Sequence, residues 1–171
     1  MRILIISDTH GFVDPRIVAM AGRCEITVHA GDILDPGVLD KLRSHSEELV
    51  AVKGNNDVPE KWPRSGHRLL QQLPEQHTLD LPGGRLTVEH GHRIWDTRNY
   101  HLRLRRKHPG VRAIVYGHSH HQVCDTGETP WVLNPGAAGR VRTHGGPSCL
   151  VLHARKRRWC VDEHRFPVFG R

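Results

Sequence analysis

The chain has 171 residues, enough for one domain with a substantial core. No run approaches the roughly 18 consecutive apolar residues of a membrane-spanning helix, and the apolar opening, residues 1–8, is too short for a secretory signal. The formal charge of +7, with histidine neutral, favours anionic partners, phosphates in general and nucleic acid in particular.

Residues 2–7 are apolar without alternation, which predicts a strand buried on both faces, as in a parallel sheet. Residues 15–22 predict a short helix, with Pro15 near its start and Gly22 at its end. Residues 26–30 read as a second buried strand ending at Gly31-Asp32. Residues 37–44 read as a helix, and 49–53 as a third strand ending at Gly54-Asn55-Asn56-Asp57. A β-α-β-α-β start with short crossovers implies parallel strands. Residues 77–81 and 85–89 flank Pro82-Gly83-Gly84, a hairpin signal. A basic helix follows at 99–107. A strand at 113–116 runs into Gly117-His118-Ser119-His120, and residues 131–133 precede Asn134-Pro135-Gly136. Residues 149–153 and 159–164 make a last hairpin. With no repeat, low-complexity tract or linker, residues 1–171 read as one α/β domain with two packed sheets and helices outside. Cys24, Cys124, Cys149 and Cys160 lack paired metal-type spacing and read as packed thiols of a reducing, cytoplasmic compartment. Two basic clusters, Arg103, Arg105, Arg106 and Lys107, then Arg155, Lys156, Arg157 and Arg158, read as solvated faces on charge alone.

Polar residues recur where apolar strands end: Asp8, Asp32, Asn55, His90 and His118. In open α/β sheets, ligands bind beyond the carboxyl ends of the strands, so five strand ends can serve one site. The motifs are Asp8-Thr9-His10, Gly31-Asp32, Gly54-Asn55, His90-Gly91-His92 and Gly117-His118-Ser119-His120. Each is weak alone; their order and placement carry the signal. The donors are carboxylates, imidazoles and one amide, a set suited to Mn²⁺ first, with Ni²⁺, Zn²⁺, Fe²⁺ and Co²⁺ as alternatives. They exceed what one ion uses; two ions about 3.5–4 Å apart, sharing a carboxylate, would use them all. Asp8 and Asp32 offset only half of four positive charges, so an excess remains to attract phosphate. Such ions also lower the pKa of a shared water, and the resulting bridging hydroxide is set for in-line attack on phosphorus.

This ordered set resembles the calcineurin-like metallophosphoesterase superfamily. The chain's small size is similar to the compact prokaryotic phosphodiesterase branch, which itself resembles a eukaryotic retromer subunit that keeps the fold as a scaffold. The resemblance spans Asp8 to the Asn134-Pro135-Gly136 turn and implies a four-layer α/β/β/α sandwich of two mixed sheets. It implies that Asp8, His10 and His120 bind one ion, that Asn55, His90 and His118 bind the other, and that Asp32 bridges them. Asp32, Asn55 and His92 would carry the catalytic step, His92 by contact with ligands or phosphate rather than metal. The implied activity is hydrolysis of a small or nucleotide-like phosphodiester, with no membrane partner. Alternatives are a phosphomonoesterase, a nuclease and, because every ligand is present, less readily a non-catalytic scaffold; a homo-oligomer stays open. Two departures stand out. Asn56 occupies the position where many relatives have an acid-base histidine, which favours good leaving groups. Ala137 replaces a serine but keeps its N–H for phosphate. Phe12 reads as pocket lining or core, His29 as a hydrogen-bonded core residue, and His121 as exposed. Asp57 reads as an orienter of Asn55 or His10, and Arg140 as a phosphate contact or a surface residue.

Overall fold

The computed structural model describes residues 1–94 and 97–168; positions 95–96 and 169–171 of the expected domain lie outside the described residues. The first half builds β1 (Arg2–Ile6), α1 (Pro15–Ala21), β2 (Ile26–His29), α2 (Pro36–Arg43), β3 (Glu48–Ala51) and α3 (His67–Gln72). The second adds β4 (Gln76–Leu81), β5 (Gly84–Glu89), α4 (Tyr100–Lys107), β6 (Ala113–Val115), β7 (Gln122–Asp125), β8 (Trp131–Pro135), β9 (Ser148–Ala154) and β10 (Trp159–Arg165). One five-stranded sheet runs β10-β9-β1-β2-β3 and the other β4-β5-β6-β8-β7. Both are mixed: β1, β2 and β3 are mutually parallel, as are β5, β6 and β8, while the edge hairpins and β7 pair antiparallel.

The lack of alternation in β1 has a direct cause. Ile3 and Ile5 pack into the layer between the sheets, with Leu86, Val88, Val115 and Leu133. Leu4 and Ile6 point the other way, onto Ile17 of α1 and Val38, Leu39 and Leu42 of α2. All four are fully buried, each worth about 1.5–3 kcal/mol of transfer free energy. On the far side, Leu104 of α4 covers Ile114, Tyr116 and Val132 of the second sheet. The four-layer α/β/β/α sandwich is therefore observed. Helix α1 opens on Pro15 as expected, α2 starts one residue earlier than expected, on Pro36, and each has an aspartate cap: Asp14 accepts from the Arg16 N–H at 2.9 Å, and Asp35 from the Gly37 N–H at 2.7 Å.

Two elements were not expected. Strand β7 (Gln-Val-Cys-Asp) is short, half polar and at a sheet edge, so no period-2 signal marks it. Helix α3 has six residues and no side-chain cap, so no start signal marks it either. Strand β3 ends two residues early because the Lys53 N–H leaves the sheet for the Pro74 carbonyl, at 2.8 Å. The exposed Arg155–Arg158 turn lies beside Met1, at the end of β1 opposite Asp8. In α4, Arg105 turns to Asp125, at 2.8 Å, and Lys107 to the buried Glu89. No helix among the described residues is long and apolar enough to cross a membrane. All four cysteines are free thiols.

Candidate metal centre

The carboxyl ends of β1, β2, β3, β5 and β6 converge, and the turns beyond them bring all seven predicted ligands together. The chain turns sharply at these points: Asp8, His10, Asp32, His118 and His120 have positive φ, from 46° to 67°. Non-glycine residues occupy that region at a cost of about 1–2 kcal/mol each. Gly54 is required for the approach of two turns, since a Cβ there would sit 2.1 Å from Asp32 Oδ1. Asp8, Asp32, His90 and His120 are buried, His10 is half-buried, and Asn55 and His118 are exposed at the mouth.

Ring nitrogens and carboxylate and amide oxygens crowd together in this cluster. His90 donates Nδ1–H to the Ala30 carbonyl, at 2.8 Å, which leaves Nε2 only 3.1 Å from Asn55 Oδ1 and 3.4 Å from Asp32 Oδ1. His120 donates Nδ1–H to the Val141 carbonyl, at 2.9 Å, which leaves Nε2 at 3.3 Å from Asp8 Oδ1 and 3.2 Å from His10 Nε2. His118 Nδ1 lies 2.9 Å from the same Asn55 oxygen. Asp32 Oδ2 faces His10 at 3.7 Å, so its two oxygens look to different halves of the cluster. Asp8 Oδ1 is buried with no donor at all. Carbonyl acceptors fix the tautomers and aim the free ring nitrogens inward, as outer partners of metal-binding histidines do. Two groups, Asp8-His10-His120 and Asp8-Asp32-His90, have donor atoms close enough to share an ion. A cation fits this set of carboxylate and imidazole donors, and Asp8 Oδ1 is a buried oxygen left for it.

Protonation follows the same logic. Burial pushes the Asp8 carboxyl up to about 6. Burial also opposes ionisation of Asp32, but His90 and two bonds from Asn56 hold it below the usual carboxylate range. Burial lowers His10 and His118, and lowers His120 to about 4, so these imidazoles keep the lone pair a metal needs. For His90 burial is outweighed by Asp32 and Asp8, which raise it: the cluster draws positive charge.

Several supporting residues were misread or missed in the sequence. Asp57 orients neither Asn55 nor His10 directly. Its buried carboxylate accepts from the N–H groups of Ile33 and Leu34 and from Trp62 Nε1, each at 2.9 Å, and from Gly54 N–H at 2.7 Å. It thus ties the Asp32 turn to the Asn55 turn. Asn56 donates to both Asp32 oxygens, from its backbone at 2.8 Å and its side chain at 2.6 Å, and its own oxygen accepts from Lys61. Asn134 holds the His118 loop through the Gly117 carbonyl, at 2.8 Å, and accepts from the Gly136 N–H at 2.9 Å. That turn is buried with Ala137 and supports the loop rather than opening toward a ligand. His29 is a core residue bonded to the Thr9 hydroxyl at 2.9 Å. Arg140 stacks on Phe12, and exposed His121 stacks on His144. Arg142, in no motif, donates to His120 Nε2 at 3.0 Å. His92 is half-buried beside His90 and His118, with Nδ1 unpartnered.

Residues 1–157 match the calcineurin-like phosphoesterase superfamily domain. The chain belongs to that superfamily. It is accordingly a metal-dependent phosphoesterase, a hydrolase of phosphoric esters. A probable metallophosphoesterase of Methanocaldococcus jannaschii is 31% identical over 80% of this chain and 68% of its own length. A phosphodiesterase of the same organism is 24% identical over 93% of this chain and 96% of its own. Among solved structures, zinc-complexed Vps29 from Entamoeba histolytica superposes with a TM-score of 0.75 at 19% identity, covering 97% of this chain and 98% of that one. An archaeal phosphodiesterase gives 0.71 at 21%, covering 96% and 100%. At these identities both structures speak to the fold alone.

Proposed function

We propose that the chain is a binuclear-metal phosphodiesterase acting on a small or nucleotide-like diester. Asp8, His10 and His120 hold one ion, Asn55, His90 and His118 the other, and Asp32 both. The observation that carries this reading is the inward convergence of acceptor atoms around Asp8 Oδ1, buried without a donor, and Asp32, whose two oxygens face opposite halves. Divalent ions bound there supply Lewis acidity toward phosphate and hydroxide at neutral pH. The protein's part is to orient. Ala30 and Val141 fix the two imidazole tautomers, and Asn56 locks the Asp32 carboxylate. We take exposed Asn55 and His118 as the substrate side and assign half-buried His92 a phosphate contact there.

The phosphodiesterase relative favours diesters over monoesters. A complete ligand set favours catalysis over a scaffold role. The nuclease reading loses support because the Arg155–Arg158 cluster lies at the opposite end of β1. We read residues 1–171 as one domain, supported by the apolar layer the two sheets share, and the free cysteines favour a cytoplasmic setting. Mn²⁺ is our first choice of ion. Elemental analysis of metal-stripped protein reloaded with Mn²⁺, Ni²⁺, Zn²⁺ or Mg²⁺, with activity against diesters and monoesters, tests the reading. Two ions per chain and faster diester turnover are expected; a single ion with Asn55 and His90 unengaged would refute the assignment.

A further inference from the structure

A cleft of ≈ 420 Å³ opens beside the candidate metal centre, with Asn55 and His92 in its lining. Its volume is near the small end of the about 300–1,000 Å³ typical of ligand pockets, suited to one compact organic group. Val58 and Leu70 give it an apolar wall, and Lys53 and Arg93 supply charge.

Of the four charged side chains that line this cleft, three already have partners within the protein. Asp57 spends its carboxylate on four donors from the fold itself. Glu75 pairs with Arg93 at 3.3 Å. His67 Nε2 lies against the carbonyls of Pro59 and Trp62, at 3.0 and 3.3 Å. Lys53 remains. Its backbone N–H is held by Pro74, but the side chain of this half-buried residue makes no hydrogen bond or ion pair among the described residues. A lysine that lines a cleft whose carboxylates are already engaged has its donors free for an incoming anion.

We infer that this cleft binds one alcohol arm of the diester and that Lys53 selects an arm ending in an anionic group, a carboxylate or phosphate. The inference rests on the diesterase reading above, since the arm must extend from a phosphate seated at Asn55 and His118. A neutral arm fills the apolar wall but leaves the ammonium unpaired. An anionic arm gains a charge-assisted hydrogen bond, worth about tenfold in kcat/KM.

The test compares phenyl butyl phosphate with phenyl carboxypropyl phosphate, whose arms match in length, hydrolysis followed by phosphorus NMR on Mn²⁺-loaded enzyme. Wild type should prefer the carboxylate-bearing diester by about tenfold or more. Lys53→Gln should abolish that preference, Lys53→Glu should reverse it, and Lys53→Arg should restore most of it. No preference in wild type, or one that survives Lys53→Glu, would overturn the inference. Calorimetric binding of the matching non-hydrolysable phosphinates reads the same preference without turnover. If wild type hydrolyses neither diester, the diesterase reading fails, while the phosphinate comparison still decides whether Lys53 selects the anionic arm.

Discussion

Asp57 gives the sharpest test of how the site is built, because its carboxylate joins two turns that carry ligands. Asp57→Asn keeps the shape but turns one acceptor oxygen into an amide donor. Either Gly54 N–H, at 2.7 Å, or the three donors on the other oxygen, at 2.9 Å, then face an N–H₂ group. Arranging the amide to spare the three leaves Gly54 N–H buried against a donor. One such mismatch costs about 1–3 kcal/mol, and the remaining bonds weaken as the charge is lost, so about 2–3 kcal/mol in total is expected. For a chain of this length that is about 4–12 °C in Tm. Urea unfolding followed by tryptophan fluorescence measures it, since Trp62 is itself one of the donors. Mn²⁺ affinity should fall in parallel, because the Asp32 and Asn55 turns lose their tie. A variant within about 0.5 kcal/mol of wild type would show that these bonds do not hold the turns together. A destabilised variant with unchanged Mn²⁺ affinity would show that the turns keep their places without Asp57.

Asp32→Ala should reduce turnover by at least about 10³-fold, since one carboxylate serves both halves of the site; a folded variant retaining a tenth of the activity removes Asp32 from that role. Asn56→Ala should cost about 10- to 100-fold in activity or metal affinity, as loss of a ligand's outer partner does, and calorimetric Mn²⁺ titration separates the two. Because the Asn56 amide is spent on Asp32 and cannot give up a proton, diester rates should rise steeply as leaving-group pKa falls; a flat dependence across aryl and alkyl diesters would show a general acid at work. Burial lowers the His29 pKa from 6.5 to about 3, so its folded form stays neutral while the unfolded chain takes up a proton. Stability from this group is complete above pH 6.5 and falls on acidification toward about pH 3; His29→Gln should flatten the pH–stability slope in that window by about one proton.

The residues that converge at the candidate site were legible because chemistry and topology leave the same mark: a polar residue where an apolar strand stops. Asp8, Asp32, Asn55, His90 and His118 each follow a strand whose burial is written in its composition. The supporting network left no such mark. Asp57 binds groups at positions 33, 34, 54 and 62, and nothing in local spacing says that these loops meet. Asn56 was legible as a missing imidazole, yet its bonds to Asp32 depend on how two turns stack. Arg142 reaches His120 from a loop with no periodicity, and Lys53 becomes distinctive only when its acidic neighbours prove to be occupied elsewhere. Strand β7 and helix α3 were hidden because each is too short to show a period.

The backbone explains why so much of the buried polar structure lies behind the ligands rather than among them. Five non-glycine residues of the candidate site sit at positive φ, and at about 1–2 kcal/mol each they cost roughly 5–10 kcal/mol, as much as the net stability of an ordinary domain. Such turns persist only if their surroundings over-determine them. The surroundings do so from several directions: Ser7 and the His118 N–H on Asp8, Thr9 on His29, Asp57 and Asn56 around Asp32, Asn134 behind His118. Each bond pins a turn the chain would not choose. Together they hold the proposed donor atoms close to one another. A cation that binds only the folded state would add its binding free energy to folding stability. Metal affinity and thermal stability should therefore fall together in variants of the supporting residues, even where no ligand has been touched.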